Sequence, residues 1–405
     1  MNKRFYISLV LVFALLSTLT AQEWQGRGQM HPPKFVFFFI GDGMGLNQVS
    51  MAEAYLSDQK GEIANESVSF TKFPILGTAT TYSANSYITC SSAAGTALST
   101  GYKTDNGVLG IDPQNNKLQS ITYKIHNAGI PVGITSSVTL DHATPAAFYA
   151  NSSSRKNYYE IALQLPQSGF EFFGGGSFLL PKGKDKDQKD IYEILEESGY
   201  AIARGLREYN IKKKSPKIIL FQEEGKETDL PYAIDRKGND LALAHVVAAA
   251  IDHLYGTKGF FIMAEGGKID WAGHSNDGKT NILEVLDFAA AIQVAYNFYQ
   301  KFPNETLIVV TADHETGGMT LGREKGYTLD LKHLESQTKS MAIDEENKEK
   351  YKKLNEKANI GWTTSSHTGV PVPVYAIGAG SRQFSGRMDN TDIPKKILNA
   401  MRIDF

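Results

Sequence analysis

Residues 35–45 read FVFFFIGDGMG and decide the fold class. Their first six residues form an apolar run with the length of a buried strand, and this run passes directly into Gly41, Asp42 and Gly43. A carboxylate therefore stands at the carboxyl end of a strand, among glycines that permit close backbone approach. In an open parallel sheet this end is where ligands bind. Because Leu46 occupies the place of the last glycine, the segment does not match the dinucleotide fingerprint G-x-G-x-x-G.

Short apolar runs alternate with helix-like stretches along the rest of the chain. This alternation predicts an α/β fold with a central, mainly parallel β-sheet flanked by helices on both faces. Residues 282–296 repeat apolar side chains with helical spacing, and a second helix, capped by Asn239 or Asp240, is expected to run to Tyr255. The predicted strands are residues 35–40, 131–134, 217–221, 259–263, 307–310 and 372–377.

The chain begins with the pattern of a signal peptide, a basic pair followed by an apolar run, over residues 1–21. The run is short for a transmembrane helix, which needs about 20 apolar residues. We therefore expect export to the periplasm or the medium, and residues 22–405 are expected to form a single domain. The lysine-rich residues 181–190 and the charged residues 322–360 are expected to be surface insertions on it.

Composition excludes several classes of protein. The formal net charge is −2, which argues against an electrostatic nucleic-acid-binding surface. Cys90 is the only cysteine, so an intramolecular disulfide is excluded. No cysteine stands at the expected cleavage point, so we predict no lipid anchor there.

Two further predicted strands also end in polar side chains. The strand at 259–263 is followed by two acids and a histidine, and the strand at 307–310 by an adjacent acid and histidine; the loop at 365–369 adds one more histidine. Imidazole and carboxylate are the ligands that zinc takes at catalytic sites. The candidate ligands are Asp42, Glu265, Asp270, His274, Asp313, His314 and His367.

A candidate nucleophile and a candidate anion clamp lie between these strands. Residues 89–98, TCSSAAGTAL, pass from a polar loop into small residues that can begin a helix, whose first backbone amides can face an anion. Taken alone, such serines are usually helix caps. Arg155 carries a guanidinium group that can bind two phosphate oxygens at once. Taken alone, it would be a surface arginine.

Together these segments resemble, in order and spacing, the active-site motifs of alkaline phosphatases. The resemblance covers nearly the whole chain after residue 21. The matching segments are residues 42–45, 91–104, 143–147 with Arg155 eleven residues after Thr144, 265–274, 313–314 and 367–369.

The resemblance implies a phosphomonoesterase that holds two zinc ions and one magnesium ion. It implies one zinc site at Asp270, His274 and His367, a second at Asp42, Asp313, His314 and Ser91, and a magnesium site at Asp42, Thr144 and Glu265. The magnesium set is all oxygen, as magnesium prefers. Ser91 is then the nucleophile that forms a phosphoserine, and Arg155 binds the phosphoryl oxygens. The expected substrates are small-molecule phosphate monoesters, and the resemblance suggests a homodimer.

Some positions depart from the family pattern. Cys90 stands where the family commonly has aspartate, and this bears on how Arg155 is oriented. His142 and Trp271 occupy positions that vary around the third metal, so His142 is either a ligand of that metal or lies outside its ligands. Ser91 is favoured over Ser92 as nucleophile because it lies five residues before Thr96, the family spacing.

Three other functions compete with this interpretation. A sulfatase would need arginine four residues after Cys90, where this chain has Ala94. A phosphodiesterase of the same superfamily would share most metal ligands but commonly lacks the third site that Thr144 and Glu265 imply. A secreted metal- or phosphate-binding protein without turnover would not need the full set of catalytic groups.

Overall fold

The computed structural model describes residues 31–64, 66–222 and 228–405. The expected signal peptide at residues 1–21 lies outside the described residues. The strands are β1 (Phe35–Gly41), β2 (Ile75–Thr80), β3 (Val132–Thr139), β4 (Phe172–Gly176), β5 (Ala201–Arg204), β6 (Ile218–Phe221), β7 (Phe260–Gly266), β8 (Thr306–Ala312), β9 (Glu315–Thr316), β10 (Met319–Leu321), β11 (Ile360–Trp362), β12 (His367–Thr368), β13 (Val372–Gly378) and β14 (Gly386–Asp389).

Helices connect most of these strands. The α-helices are α1 (Leu46–Asp58), α2 (Ser91–Thr100), α3 (Ile121–Asn127), α4 (Ala143–Ala146), α5 (Tyr158–Ala162), α6 (Leu165–Ser168), α7 (Ile191–Glu197), α8 (Gly205–Lys212), α9 (Leu243–Leu254), α10 (Lys268–His274), α11 (Gly278–Lys301), α12 (Lys348–Lys357) and α13 (Asp392–Met401). Short 3-10 helices cover Ser69–Lys72, Leu331–Ser336, Glu345–Asn347 and Ser381–Phe384.

Ten strands form one large sheet in the order β14-β2-β13-β8-β1-β7-β3-β4-β6-β5. All neighbouring strands in it run parallel except β13, which is antiparallel to both β2 and β8. Helices flank the sheet, and the predicted mainly parallel α/β architecture is confirmed. The six predicted strands correspond to β1, β3, β6, β7, β8 and β13.

Strand β1 lies at the centre of this sheet, with every residue buried. Such a continuous apolar run suits a parallel strand that is covered on both faces. In register, Ile40 lies opposite Glu265 of β7 on one side and opposite Thr311 of β8 on the other. The carboxyl ends of β8, β1 and β7 therefore lie side by side, and the polar residues that follow them meet at one edge.

The start of α9 differs from the expected cap at Asn239 or Asp240. The helix begins at Leu243, after Ala242. The carboxylate of Asp240 instead accepts a hydrogen bond from the Lys237 N–H at 2.8 Å and closes the preceding turn. Aspartate is favoured in turns for the same reason that it is favoured at caps, because it bonds nearby backbone amides.

Residues 322–360 fold back onto the body of the protein. They contain two of the 3-10 helices and α12, and apolar side chains on their inner side, such as Leu331, Leu334 and Met341, are buried. Their outer side is charged. Among the described residues, none of the helices has both the length and the apolar character needed to cross a bilayer.

Candidate active site

The loop after β1 carries Asp42 into the interior. Asp42 is fully buried, and neither of its carboxylate oxygens has a hydrogen-bond partner. The next residue, Gly43, has φ +74°, and a Cβ there would lie 2.8 Å from both the Cα atom of Asp270 and the Oγ1 atom of Thr316. Glycine at this position therefore lets the loops after β1, β7 and β8 approach one another closely.

Asp313 and His314, directly after β8, lie beside Asp42. The Nε2 atom of His314 is 3.1 Å from Oδ2 of Asp313, 3.4 Å from Oδ1 of Asp42 and 3.4 Å from the Oγ atom of Ser91. The other oxygen of Asp313 accepts hydrogen bonds from the Gly43 and His314 N–H groups, so the carboxylate is held in a fixed orientation. These groups offer ligand atoms within 4.8 Å of one another.

A second group of ligands adjoins the first. The Nε2 atom of His274 is 3.3 Å from Oδ2 of Asp270, and the Nε2 atom of His367 is 3.5 Å from Oδ1 of Asp270. The two Nε2 atoms are 3.1 Å apart. The ring of His367 also stacks on His314, with 3.6 Å between centroids, so the two groups are in direct contact.

Two of the three histidines, His274 and His367, are oriented in the same way. The Nδ1 atom of His274 is 2.8 Å from the Ser365 carbonyl oxygen, and the Nδ1 atom of His367 is 2.8 Å from the Thr89 carbonyl oxygen. Because a carbonyl only accepts, Nδ1 carries a proton in both rings, and Nε2 is the nitrogen left to bind a cation. Backbone acceptors of this kind fix the tautomer of metal-binding histidines.

A third group is formed by Asp42, Glu265 and Thr144. Glu265, at the end of β7, is fully buried, and one of its oxygens accepts a hydrogen bond from the Ser136 hydroxyl. Thr144, in α4, is also buried. The carboxylates of Asp42 and Glu265 lie with a ring nitrogen of His142 inside a 4.8 Å cluster.

Five unpartnered buried oxygens lie in these three groups. Buried polar atoms normally have hydrogen-bond partners, so each exception needs an explanation. Here a divalent cation would satisfy them, and the donor types match, with imidazole and carboxylate in two groups and oxygen in the third. Within the three groups, the oxygens without a hydrogen-bond partner are Asp42 Oδ1 and Oδ2, Asp313 Oδ2, Glu265 Oε1 and Thr144 Oγ1.

Ser91 is the first residue of α2 and is buried at its N-terminus. Every residue of this helix is buried, and small side chains make that possible: Gly95, for example, faces Ala147 and Thr144 of the neighbouring helix. The helix dipole favours negative charge at Ser91 and on a group bound beside it.

Arg155 is held near this serine by contacts from two directions. Its Nη2 atom lies 3.1 Å from the Nε2 atom of His142, and its backbone N–H donates to the Gly107 carbonyl at 2.8 Å. Trp271 packs edge-on against His142, with 5.7 Å between ring centroids. The structure thus brings all the sequence-predicted site residues into one region.

Burial and mutual repulsion shift the pKa values of the acidic side chains in the site. Burial raises the pKa of Glu265 to about 8 and that of Asp313 to about 7. Burial, together with the charge of Asp313, raises the pKa of Asp42 well above its ordinary value. Burial acts in the same direction on Asp270, but the hydrogen bond from His274 and the adjacent imidazoles outweigh it and lower its pKa. Three buried acids that resist ionisation together are typical of a functional site.

Two residues that the sequence analysis did not single out hold these ligands. The Thr316 hydroxyl donates to Oδ1 of Asp270 and lies 3.2 Å from Nδ1 of His314, so it bridges the first two groups. Ser136 donates to Glu265 and in turn accepts from the Val138 N–H at 3.0 Å. The only feature of the sequence that could have indicated Thr316 is its position two residues after His314.

Comparison with known proteins finds the same family along almost the whole chain. The alkaline phosphatase family model matches residues 33–403. Alkaline phosphatase 3 of Bacillus subtilis is 32% identical over 440 residues, covering 95% of this chain and 92% of the relative.

Solved structures give the same result. A mutant of the alkaline phosphatase from the Antarctic bacterium TAB5, with Mg bound in the M3 site, has a TM-score of 0.76 and 31% identity and covers 93% of this chain and 100% of that one. Thermus thermophilus alkaline phosphatase has a TM-score of 0.81 and 26% identity, with coverage of 93% and 92%.

Proposed function

Because the chain belongs to the alkaline phosphatase family and is a phosphomonoesterase, we propose that it hydrolyses phosphate monoesters through a phosphoserine formed on Ser91. Two zinc ions and one magnesium ion are its proposed cofactors. The observation that carries the proposal is the concentration of unpartnered buried oxygens and converging Nε2 atoms around one serine hydroxyl.

The residues assigned to each ion follow from the three groups. Asp270, His274 and His367 would hold one zinc, Asp42, Asp313, His314 and Ser91 the other, and Asp42, Thr144 and Glu265 the magnesium. When bound, such cations lower the pKa of a hydroxyl or water and stabilise the charge of a departing oxygen. The His274 and His367 Nε2 atoms lie 3.1 Å apart and both face the Asp270 carboxylate, so one cation between them could contact the whole group.

The chain's own residues supply the nucleophile and the phosphate clamp. The Ser91 hydroxyl loses its proton and its oxygen attacks phosphorus; the new O–P bond forms as the bond to the ester oxygen breaks, and that oxygen takes up a proton and leaves as the alcohol. Water then attacks phosphorus and loses a proton, the Ser91 O–P bond breaks, the Ser91 oxygen regains a proton, and inorganic phosphate is released. Arg155 binds non-bridging oxygens through both steps, and the N-terminus of α2 stabilises their charge.

His142 is proposed to act on Arg155 and not as a ligand of the third metal. Arginine has only donors, so the Nε2 atom of His142 accepts its hydrogen bond and the neutral ring carries its proton on Nδ1. Neither nitrogen then has a lone pair for a cation. Burial and the charge of Arg155 lower the pKa of His142 to about 3, which keeps the ring neutral. Trp271, packed against the ring, holds its orientation.

Location and assembly are proposed from the sequence and the family. We propose that residues 1–21 direct export to the periplasm or the medium and that residues 22–405 are one catalytic domain. A homodimer is proposed from the family resemblance. Mass spectrometry of the exported protein tests the cleavage point, and light scattering after gel filtration tests the dimer.

The proposed chemistry is tested on protein supplied with zinc and magnesium and assayed with p-nitrophenyl phosphate. Ser91→Ala is expected to lose at least about a thousandfold in kcat, because removal of a serine nucleophile costs up to about 10⁶. Ser92→Ala, a matched change at the next residue, is expected to stay within about tenfold of wild type. Near-wild-type kcat for Ser91→Ala contradicts the proposal.

Two direct measurements accompany these variants. Acid quenching during turnover is expected to trap one phosphate on the peptide that contains Ser91, and phosphate on Ser92 would contradict the assignment. Elemental analysis of active protein is expected to find two zinc ions and one magnesium ion per chain. Chelation is expected to abolish activity, and hydrolysis that persists without metal would contradict the metal assignment.

A further inference from the structure

The turn at residues 105–107 connects the nucleophile loop to the phosphate clamp. Asn106 makes two hydrogen bonds to the loop that precedes Ser91. Its Oδ1 atom accepts from the Cys90 N–H at 2.9 Å, and its Nδ2 atom donates to the Ile88 carbonyl at 2.9 Å. The residue that follows Cys90 is Ser91. The turn is thereby fixed to the backbone that leads into the nucleophile.

The Cys90 thiol makes the next connection. Its Sγ atom accepts a hydrogen bond from the Gly107 N–H at 3.1 Å and lies 3.1 Å from the Ser92 hydroxyl. The Gly107 carbonyl accepts the Arg155 N–H at 2.8 Å. Cys90, Gly107 and Arg155 are therefore joined in series, from the residue before the nucleophile to the residue that binds phosphate.

The backbone of Gly107 permits this link. Its φ is +89°, a conformation that other residues adopt at a cost, and a Cβ there would meet nothing within 4 Å. Glycine is therefore required here by the positive φ angle and not by a lack of room for a side chain. With this conformation, its N–H points to the thiol and its carbonyl to Arg155.

We propose that Cys90 is a positioning residue for Arg155 and acts through Gly107. The thiol holds the turn, and the turn sets where the backbone of Arg155 stands relative to the Ser91 oxygen. A long side chain fixed at its base loses less freedom when it binds phosphate, and correct placement of binding groups is a large part of catalysis. This inference rests on the proposed function, in which Arg155 binds phosphoryl oxygens.

The predicted signature is weaker phosphate binding with little change in kcat. Arg155 is expected to contact phosphate in substrate, transition state and product alike, and loss of such uniform binding raises KM more than it lowers kcat. In isothermal titration of the metal-loaded protein with inorganic phosphate, Cys90→Ala is expected to raise Kd by about fivefold, as the loss of one hydrogen bond does.

Three variants separate this role from general damage to the fold. Cys90→Ser keeps an acceptor at the same place and is expected to stay within about twofold of the wild-type Kd. Ser92→Ala removes the other contact of the thiol, leaves the Gly107 contact, and is also expected to stay within about twofold. Gly107→Ala strains the backbone without touching the thiol and is expected to weaken phosphate binding as Cys90→Ala does.

A double-mutant cycle decides the proposal. In an Arg155→Ala background, Cys90→Ala is expected to change the phosphate Kd by less than about twofold, because the residue that it positions is gone. Equal losses in both backgrounds, or no loss in the wild-type background, overturn the positioning role. Failure of the proposed function looks different: the wild-type protein itself would then bind no phosphate and hydrolyse no monoester.

Discussion

The Nη2 atom of Arg155 lies 3.1 Å from the Nε2 atom of His142. This contact assigns the ring proton to Nδ1 and leaves His142 without a free lone pair. It also answers how Arg155 is oriented in a chain that has Cys90 before its nucleophile. The guanidinium group is oriented by an imidazole, and the backbone of the same residue is held by Gly107.

Removal of this acceptor is expected to weaken substrate binding and to spare the magnesium site. His142→Ala should raise KM by about tenfold to a hundredfold, the usual value of a hydrogen bond to a charged group, whereas His142→Gln keeps an oxygen acceptor and should stay near wild type. Magnesium titration of the zinc-loaded protein should give the same Kd for all three proteins. A magnesium affinity that drops tenfold in both variants would make His142 a ligand instead.

Thr316 offers a test of how the two zinc groups are held together. Its hydroxyl donates to Asp270 and accepts from Nδ1 of His314, so Thr316→Val keeps the shape but removes both contacts. Residues that orient metal ligands typically contribute about tenfold or more to metal affinity. We expect a loss of that size in competitive zinc titration with a chelating dye.

Thr311→Val is the matched control for that change. Thr311 is buried in β8, and its hydroxyl donates to the Pro373 carbonyl at 2.9 Å, away from the ligands. The Thr311→Val variant should lower thermal stability as Thr316→Val does but leave zinc affinity unchanged. If both variants lose zinc equally, the role assigned to the Thr316 hydroxyl is wrong.

The stability of the metal-free protein is expected to fall from pH 7 to pH 9. Burial raises the pKa of Asp313 to about 7 and of Glu265 to about 8, and the hydrogen bond to Asp270 raises the pKa of His274 to about 9. Each group binds its proton more tightly in the folded protein than in the unfolded chain. Its contribution to the folding stability is therefore fully present below the pKa of the unfolded chain and is lost as the pH rises through the pKa of the folded protein.

Scanning calorimetry or dye-monitored melting across this range tests that expectation. In chelator, Tm should decrease by on the order of 5 °C between pH 7 and pH 9. With zinc and magnesium bound, the cations neutralise the acids and the curve should be nearly flat. Parallel curves with and without metal would mean that these groups do not face the ions.

Much of the site could be predicted because its ligands follow strands. Three polar loops after apolar runs predicted one cluster, and the sheet order places β8, β1 and β7 next to one another. Parallel neighbours end at the same edge, so this strand order brings Asp42, Glu265 and Asp313 together, whereas their grouping into ion sites came from the family resemblance.

The supporting contacts could not be predicted in the same way. The Cys90, Gly107 and Arg155 series and the Thr316 bridge depend on how closely loops from distant segments approach, and no local pattern encodes that distance. The helix cap at Asp240 failed for a related reason, because an aspartate can serve a turn or a helix equally well. In residues 331–341 and 351–360 the buried positions recur about every third or fourth residue among charged neighbours, so the segment's sequence appeared charged throughout.

Asp277 anchors those residues to the site, and its removal should release them. Its buried carboxylate accepts hydrogen bonds from the Met341 N–H at 2.7 Å and from the Gln337 amide at 2.7 Å. Asp277 lies three residues after His274, and it also caps α11 by accepting from the Thr280 N–H. Asp277→Ala leaves these donors unpaired, so we expect a loss of about 2–4 kcal/mol in unfolding free energy.

In this variant we also expect residues 322–341 to open locally under conditions in which the rest of the protein stays folded. Limited proteolysis of Asp277→Ala is expected to cut within residues 322–341 under conditions that leave the wild type intact, and zinc affinity should fall because His274, the last residue of α10, lies only three residues before Asp277. Asp344→Ala removes a carboxylate at the surface of the same segment, where it bonds Asn347 and Tyr351, and should change neither property. If Asp277→Ala resists cleavage as the wild type does, contacts of the buried apolar side chains alone hold the segment in place.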